Sequence, residues 1–524
     1  MTSNTYQFDL YQALQKIPTP IWFGVVIGIC LFLSLGGVAL FDLDEGEYAA
    51  ASFEMLQRHE FITPYLNAQP LFEKPILLFW LQAISASVFG INEWGFRLPS
   101  AMASAFWVGA LYRFTLRYYN RETAIAAVLF SAGSLMVVVI GRAAITDALL
   151  NLFIALSMLA IFDYSRKPNP VTLRWIFVWM GLGVLTKGPI AILIPVVVSF
   201  VWYAWNRELK SWFRVAFRPL PWLLFLIIVL PWYGLEYLEH GQAFIDDFIL
   251  KHNVHRFTST MEGHGGVLYY YLPVLLFVFM PYTGMLAVLV TKLRNMLHDP
   301  LDRFLWLWFL FVLVFFSISS TQLPHYLLPG ATPLFILMAK YRRALSSGLL
   351  AYLPAMIFFA LLWCLPDLLH LFTAQSHDLY IQAVATGIDT AMGTHYRIWI
   401  GFTLLLTCLL LLFTRRRLLP CQGLHVLAMA QVFMLLYALL PAVSDLVQEP
   451  VVNAARKART LDATVVTWQI RMPSFTVYRG KVTPERAPRA GEVVYTRIDK
   501  LAQLPNYELL YNEGGIVLAK IKPN

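Results

Sequence analysis

The sequence predicts an all-α polytopic membrane protein of about thirteen transmembrane helices, followed by a small C-terminal α/β domain outside the cytoplasm. Three observations predict this. Of 524 residues, 58% are hydrophobic and only 14% charged, whereas a soluble chain is roughly 45–50% apolar and about 25% charged. Long apolar runs recur as far as residue 441. Clusters of Lys and Arg fall in alternate connections between those runs. A disordered chain, a coiled coil and a string of ordinary soluble domains are all excluded.

The first run, 21–41, contains no charge. It is longer than a signal-peptide core, so it reads as a retained helix. Further runs fall at about 97–117, 122–141, 143–164, 174–187, 189–205, 220–237, 267–291, 304–320, 325–340, 349–366, 397–413 and 423–441. The basic clusters include Arg113, Arg117 and Arg121, then Arg207, Lys210, Arg214 and Arg218, and later Arg415, Arg416 and Arg417. Lys and Arg favour cytoplasmic connections, which places the N-terminus in the cytoplasm. An odd number of spans then places the C-terminus outside. The chain divides into a membrane domain, 1–445, with outer loops at about 42–97 and 239–266, and an outer domain, 446–524. The stretch 76–88 in the first loop is too short to span and reads as an interfacial or re-entrant helix.

In the tail, residues 451–461 read as a helix, and 464–469, 475–478, 493–498 and 515–521 as strands rich in Val, Thr, Tyr and Ile. Residues 450–524 carry 12 Lys and Arg against 6 Asp and Glu. That excess suits an anionic lipid surface, or equally an ordinary solvated face. The four cysteines show no CxxC or Cys/His ligand spacing, so they read as buried thiols.

Chemistry-bearing residues collect on the outer side. Phe41-Asp42-Leu43-Asp44-Glu45-Gly46-Glu47-Tyr48 follows the first run, and a helix starting there puts Asp44, Glu47 and Tyr48 on one face. The bland alternative is an acidic patch that solvates a helix end. Phe72-Glu73-Lys74-Pro75 sets a cation at head-group depth, or else a weak surface ion pair. Asp147 lies among apolar residues at a membrane boundary, a functional position by default, or a partner for Arg142. His252 and Arg256 share a helical face, and a His with a carboxylate can hold a divalent metal, although a His in a polar loop is more often just solvated. Pro324-His325-Tyr326 and Pro329 break a helix where irregular backbone must line a buried cavity, or seat an interfacial Tyr. There is no P-loop and no GxGxxG. Hence no nucleotide cofactor and no nucleic-acid partner are expected, and a donor attached to a membrane lipid phosphate fits better than a sugar nucleotide.

The sequence resembles the polyprenyl-phosphate-dependent membrane glycosyltransferases of the C-type fold, most nearly the branch of the lipid A aminoarabinose transferases. The carrying residues are Asp44-Glu45-x-x-Tyr48-Ala49, Glu54-Met55-Leu56, Pro64, Phe72-Glu73-Lys74-Pro75, Trp80, Phe89-Gly90, Arg97-Leu98-Pro99, Asp147, Thr186-Lys187-Gly188-Pro189, His252 with Arg256-Phe257, and Tyr326-x-x-Pro329. The resemblance implies thirteen transmembrane helices, juxtamembrane helices in the first loop and a periplasmic C-terminal domain in a bacterial inner membrane. It implies Asp44 and Asp147 as catalytic, Lys74 as the carrier-phosphate ligand, Arg256, Tyr326, Tyr48 and Glu45 at the donor phosphate and sugar, and Glu73 with His252 as ligands of a divalent metal, zinc or magnesium. Two positions depart from the family pattern: Glu47 stands where it has Arg, and Leu71 where it has Tyr. Both lie near the donor site, so the sugar stays open.

The resulting expectation is transfer of a sugar from undecaprenyl phosphate to lipid A, or to another envelope glycan, glycolipid or protein, by a single displacement with inversion. Asp44 would orient or deprotonate the acceptor. A protein O-glycosyltransferase differs only in acceptor. A flippase for lipid-linked sugars would use the same cavity without chemistry, but the repeated halves common in transporters are missing from the sequence.

Overall fold

The first apolar run does not form one long helix. In the computed structural model, which describes residues 9–255, 265–414 and 419–523, it is helical over Thr19–Ile27 and Gly28–Phe32 and irregular from there to residue 43. Irregular backbone at membrane depth survives only where protein satisfies it. Here the buried Arg97 guanidinium donates to the carbonyls of Leu35 at 3.0 Å, Val38 at 2.8 Å and Ala39 at 2.8 Å. Arg142 takes the Leu33 carbonyl at 2.8 Å.

Each of the other predicted runs contains helix, but not all are continuous. Among the described residues, Asp147–Arg166, Pro219–His240, Pro300–Ile318, Thr394–Thr414 and Pro420–Val447 are long and apolar enough to cross a membrane. Two bent pairs, Tyr271–Val278 with Thr283–Met296 (120°) and Gly348–Trp363 with Leu365–Thr373 (51°), raise the number to 7 if each pair is one span. The run at 122–141 breaks at Gly133-Ser134, between Arg121–Ala132 and Leu135–Ile140. The tenth run opens with the 3-10 turn Pro324–Gly330 before Ala331–Tyr341, as its two prolines predict.

The first outer loop is ordered by its own polar residues. Acids in the first turn of Asp44–Arg58 suit a helix N-terminus. The buried Glu54 carboxylate accepts from the backbone N–H groups of Asn67 at 2.6 Å and Ala68 at 3.2 Å. This pins the small hairpin Tyr65–Leu66/Gln69–Pro70 to that helix. Gln82, on the short helix Leu77–Phe89, accepts from Ser52 at 2.8 Å and donates to the carbonyls of Phe96 and Ala144. Three segments are thereby locked together.

The tail folds as helix Glu449–Arg459 beside a four-stranded sheet in the order Val465–Thr467, Val493–Arg497, Ile516–Ile521, Tyr507–Glu513. The first pair is parallel and the others antiparallel. Two expectations need correction. Residues 475–478 are not a strand but part of helix Ser474–Arg479, because Phe475 is wanted in the core, stacked on Tyr495, while the rest of the helix packs on Asp44–Arg58. The polar strand Tyr507–Glu513, half exposed and weakly patterned, was not predicted at all. Docking is polar as well as apolar. The Ser474 N–H donates to Asp42 at 3.0 Å, and the Tyr478 hydroxyl donates to Glu93 at 2.8 Å. Gly46 permits this approach, since a Cβ there would collide with the Asp42 carboxylate.

Candidate active site

Two cavities meet just outside the apolar helices. A polar one of about 180 Å³ is lined by Asp44, Glu47, Tyr48, Glu73, Lys74, Asp147, Lys187, His325, Tyr326 and Arg471. An apolar one of about 590 Å³ is lined by Leu150, Ile190, Leu193, Val196, Phe315 and Phe316, with His252 also on its wall. Glu73, Lys74, Asp147, Lys187 and Tyr326 belong to both.

Asp147 is the most constrained of the shared residues. Lys187 Nζ donates to both its oxygens, at 2.7 and 2.8 Å, and His325 Nε2 lies 3.8 Å away. Arg142 is occupied elsewhere, so the alternative pairing with Arg142 does not form. Lys187 ends helix Pro170–Lys187, where a cation meets the negative end of the helix dipole, and Gly188 at φ +80 turns the chain into the next helix. The same ammonium lies 5.1 Å from the centre of the Tyr326 ring. Lys74 is nearly buried, donates to the Glu73 carbonyl at 3.2 Å and lies 3.9 Å from the Glu73 carboxylate.

The predicted acidic face forms: Asp44, Glu47 and Tyr48 line the polar cavity together. Burial, then the neighbouring Glu73, pushes the Glu47 carboxyl up to about 7, against the pull of Arg471 and Lys74. Burial and the surrounding acids also keep the Tyr48 hydroxyl well above its usual range. Arg471 comes from the tail, 3.4 Å from Glu47 and 3.5 Å from Glu73.

Glu45 is not brought to this site. It is buried against Arg97 at 2.6 Å and accepts from the N–H groups of Phe41 and Ala144. It faces a separate cavity with Asp42, Arg97 and Arg142. Those charge-assisted bonds hold its carboxyl below the usual range despite burial. Its role is to fix the segment that carries Asp44. Arg256 lies outside the described residues.

Lys187, His325 and Glu47 stand in the sequence motifs without a site role, and Arg471 stands in none of them. A lone Lys between two apolar helices was the available signal for Lys187. Nothing in the tail marked Arg471.

Among the described residues no group of three or more His, Cys, Asp and Glu side chains could hold a metal. Glu73 and His252 do share the apolar cavity, and among the described residues the buried His252 Nδ1 has no hydrogen-bond partner. Two donors with an unpaired ring nitrogen fit an ion that takes its remaining ligands from phosphate and water.

Comparison with solved structures bears on the whole chain. ArnT from Cupriavidus metallidurans, crystallised with undecaprenyl phosphate, superposes with a TM-score of 0.78 at 21% identity, covering 96% of this chain and 98% of that one. This chain shares the fold of that protein. The oligosaccharyltransferase of Archaeoglobus fulgidus is a more distant likeness, with a TM-score of 0.51 at 11% identity over 94% of this chain and 70% of its own. The family described as Dolichyl-phosphate-mannose-protein mannosyltransferase matches residues 73–234. Among curated proteins, the undecaprenyl phosphate-alpha-4-amino-4-deoxy-L-arabinose arabinosyl transferase of Photorhabdus laumondii is 32% identical over 321 residues, 60% of this chain and 57% of its own. That of Yersinia pestis is 30% identical over 310 residues, 58% and 55%. This chain thus matches less than two thirds of the length of these relatives.

Proposed function

We propose that this chain is a glycosyltransferase of a bacterial inner membrane that moves a sugar from undecaprenyl phosphate to lipid A, or to another envelope acceptor, on the periplasmic face. The observation that carries the reading is the junction of an apolar cavity of about 590 Å³ with a polar, charged one across five shared residues. A polyprenyl phosphate needs both environments at once. Ile192 and Val196 also line a third cavity of about 370 Å³, so apolar space continues along helix Ile190–Trp205. The likeness to the undecaprenyl-phosphate transferases supports the same donor. Thirteen spans, a cytoplasmic N-terminus and a periplasmic tail agree with the charge pattern of the connections.

In the proposed reaction the bond between the sugar's anomeric carbon and the carrier phosphate oxygen breaks, and a bond to an acceptor oxygen forms. Asp44 accepts the proton of an acceptor hydroxyl, or positions an acceptor that is already an anionic phosphate. Lys74 and Lys187 stabilise the departing phosphate in a site where water is partly excluded. Asp147 holds Lys187 in place, Tyr326 and Tyr48 line the sugar's position, and Arg256 is assigned to the phosphate. Glu73 and His252 would hold a divalent ion, which when bound would supply further positive charge.

The protein mannosyltransferase description of the matching family favours a second reading, with a protein as acceptor. Purified protein in detergent, supplied with an undecaprenyl-phosphate sugar and either lipid A or envelope protein, distinguishes the two by which product gains mass. Asp44→Asn is expected to lower turnover by about 10²–10⁴-fold while leaving the protein folded. Near-wild-type turnover in that variant would remove Asp44 from the mechanism, and no transfer from any such donor would sink the transferase reading.

A further inference from the structure

The C-terminal domain reaches into the site at one residue. Arg471 lines the polar cavity but not the apolar one. Its guanidinium lies 3.4 Å from Glu47 on one element and 3.5 Å from Glu73 on another, and the side chain keeps half its surface exposed. Its position is fixed by docking, since three residues on, the Ser474 N–H donates to Asp42 at 3.0 Å, two residues before Asp44 itself. Lys74 and Lys187 sit on the wall common to both cavities, where a carrier phosphate already meets two cations. Arg471 stands only on the side an acceptor must use. Glu47, which holds it, stands where the family pattern has Arg.

We propose that Arg471 binds a phosphate group of the acceptor at the polar cavity and so selects phosphorylated acceptors. The inference rests on the transferase reading above. A guanidinium suits the role because its planar fork can bind a phosphate through two parallel hydrogen bonds, with Glu47 and Glu73 holding it in the free protein. A half-exposed ion pair of this kind would by itself contribute little to stability. The Arg471→Ala protein is therefore expected to fold.

The test uses full-length protein in detergent without donor sugar. Binding of lipid A, of dephosphorylated lipid A and of undecaprenyl phosphate is measured for wild type, Arg471→Ala, Arg471→Lys and the double variant Glu47→Arg/Arg471→Ala. Arg471→Ala should bind lipid A about tenfold more weakly or worse. It should bind dephosphorylated lipid A and undecaprenyl phosphate as wild type does. Arg471→Lys should rescue only in part, and the double variant should recover part of the lost affinity. Unchanged lipid A affinity in Arg471→Ala overturns the inference and leaves an ion pair that holds the tail. An equal loss for undecaprenyl phosphate also overturns it, because the phosphate recognised is then the donor's. So does a wild type that binds both forms of lipid A alike. Wild type that fails to bind undecaprenyl phosphate would instead defeat the transferase reading, and the inference with it.

Discussion

Replacing Lys187 with Met keeps the length and apolar stem of the side chain and removes its charge. The loss is large because the ammonium donates to both oxygens of Asp147 at 2.7 and 2.8 Å, with only 15% of the Lys side chain and 6% of the Asp side chain exposed. Breaking a buried pair by deleting one partner costs about 3–5 kcal/mol, since the other charge stays buried without compensation. His325 at 3.8 Å from Asp147 offers a partial substitute, which places the expected cost near the lower end, about 3 kcal/mol. Asp147→Asn strands Lys187 in the same way. The double variant should then cost less than the sum of the singles, by about 1–3 kcal/mol. Denaturant unfolding in mixed micelles, followed by Trp fluorescence, gives all four corners of the cycle, and turnover measured alongside reports the catalytic loss. Additive costs, or a Lys187→Met protein within about 0.5 kcal/mol of wild type, would refute a coupled buried pair.

Lys74→Ala should weaken undecaprenyl phosphate binding about tenfold to a hundredfold, the loss of one charge-assisted contact, and Lys74→Arg should rescue poorly because a fork is not a point charge; a direct binding titration checks both. Glu47 should make acceptor binding depend on pH. Its carboxyl is raised from 4.5 to about 7, so the stability contributed by its neutral form is complete below the unfolded value and lost as pH rises through about 7. Over that window Glu47 becomes anionic beside Glu73, Asp44, Lys74 and Arg471 and competes for Arg471, so affinity for a phosphorylated acceptor should fall. Titrations at pH 6 and pH 8 should show that step in wild type and not in Glu47→Gln.

Much of this architecture was legible because a bilayer imposes simple rules on sequence. Apolar runs and alternating basic connections mark helices without knowledge of their neighbours. The irregular stretch after Phe32 was not legible, because its stability depends on Arg97, far along the chain, which offers donors to three carbonyls. Glu45 reads like its neighbours Asp44 and Glu47. Only the position of Arg97 separates a structural carboxylate from the two that face the cavity. Asp147 was legible as a lone acid at a membrane boundary, yet its partner Lys187 was not assigned, since 40 residues separate them, the whole of helices Asp147–Arg166 and Pro170–Lys187. The helix at Ser474–Arg479 defeated a local rule. Its Phe, Thr, Val and Tyr favour a strand, but docking against Asp44–Arg58 decides the outcome. Arg471 is legible only once that docking is known.

The two cavities also constrain the stereochemistry. In the proposed reaction a polyprenyl tail takes the apolar cavity, which would put the carrier phosphate at the shared wall beside Lys74 and Lys187. Asp44 and Arg471 line the polar cavity and not the apolar one. In the proposed reaction the acceptor would then reach the sugar from the polar side and the phosphate would leave toward the wall shared with the apolar cavity. Attack from the polar side displaces a phosphate leaving toward the apolar side in one step, and a single in-line displacement inverts the anomeric centre. A retaining route through the protein would need a carboxylate against the face opposite the leaving phosphate, a glycosyl-enzyme bond to it and a second displacement. Asp44 and Glu47 are the carboxylates on the polar side, and the proposed reaction gives Asp44 to the acceptor while Glu47 holds Arg471. NMR of the product formed from a donor of known anomeric configuration should show the opposite configuration. A product that keeps the donor's configuration, or a covalent sugar adduct on Asp44 seen by mass spectrometry, would mean that Asp44 is a nucleophile and that the acceptor arrives only after the carrier has left.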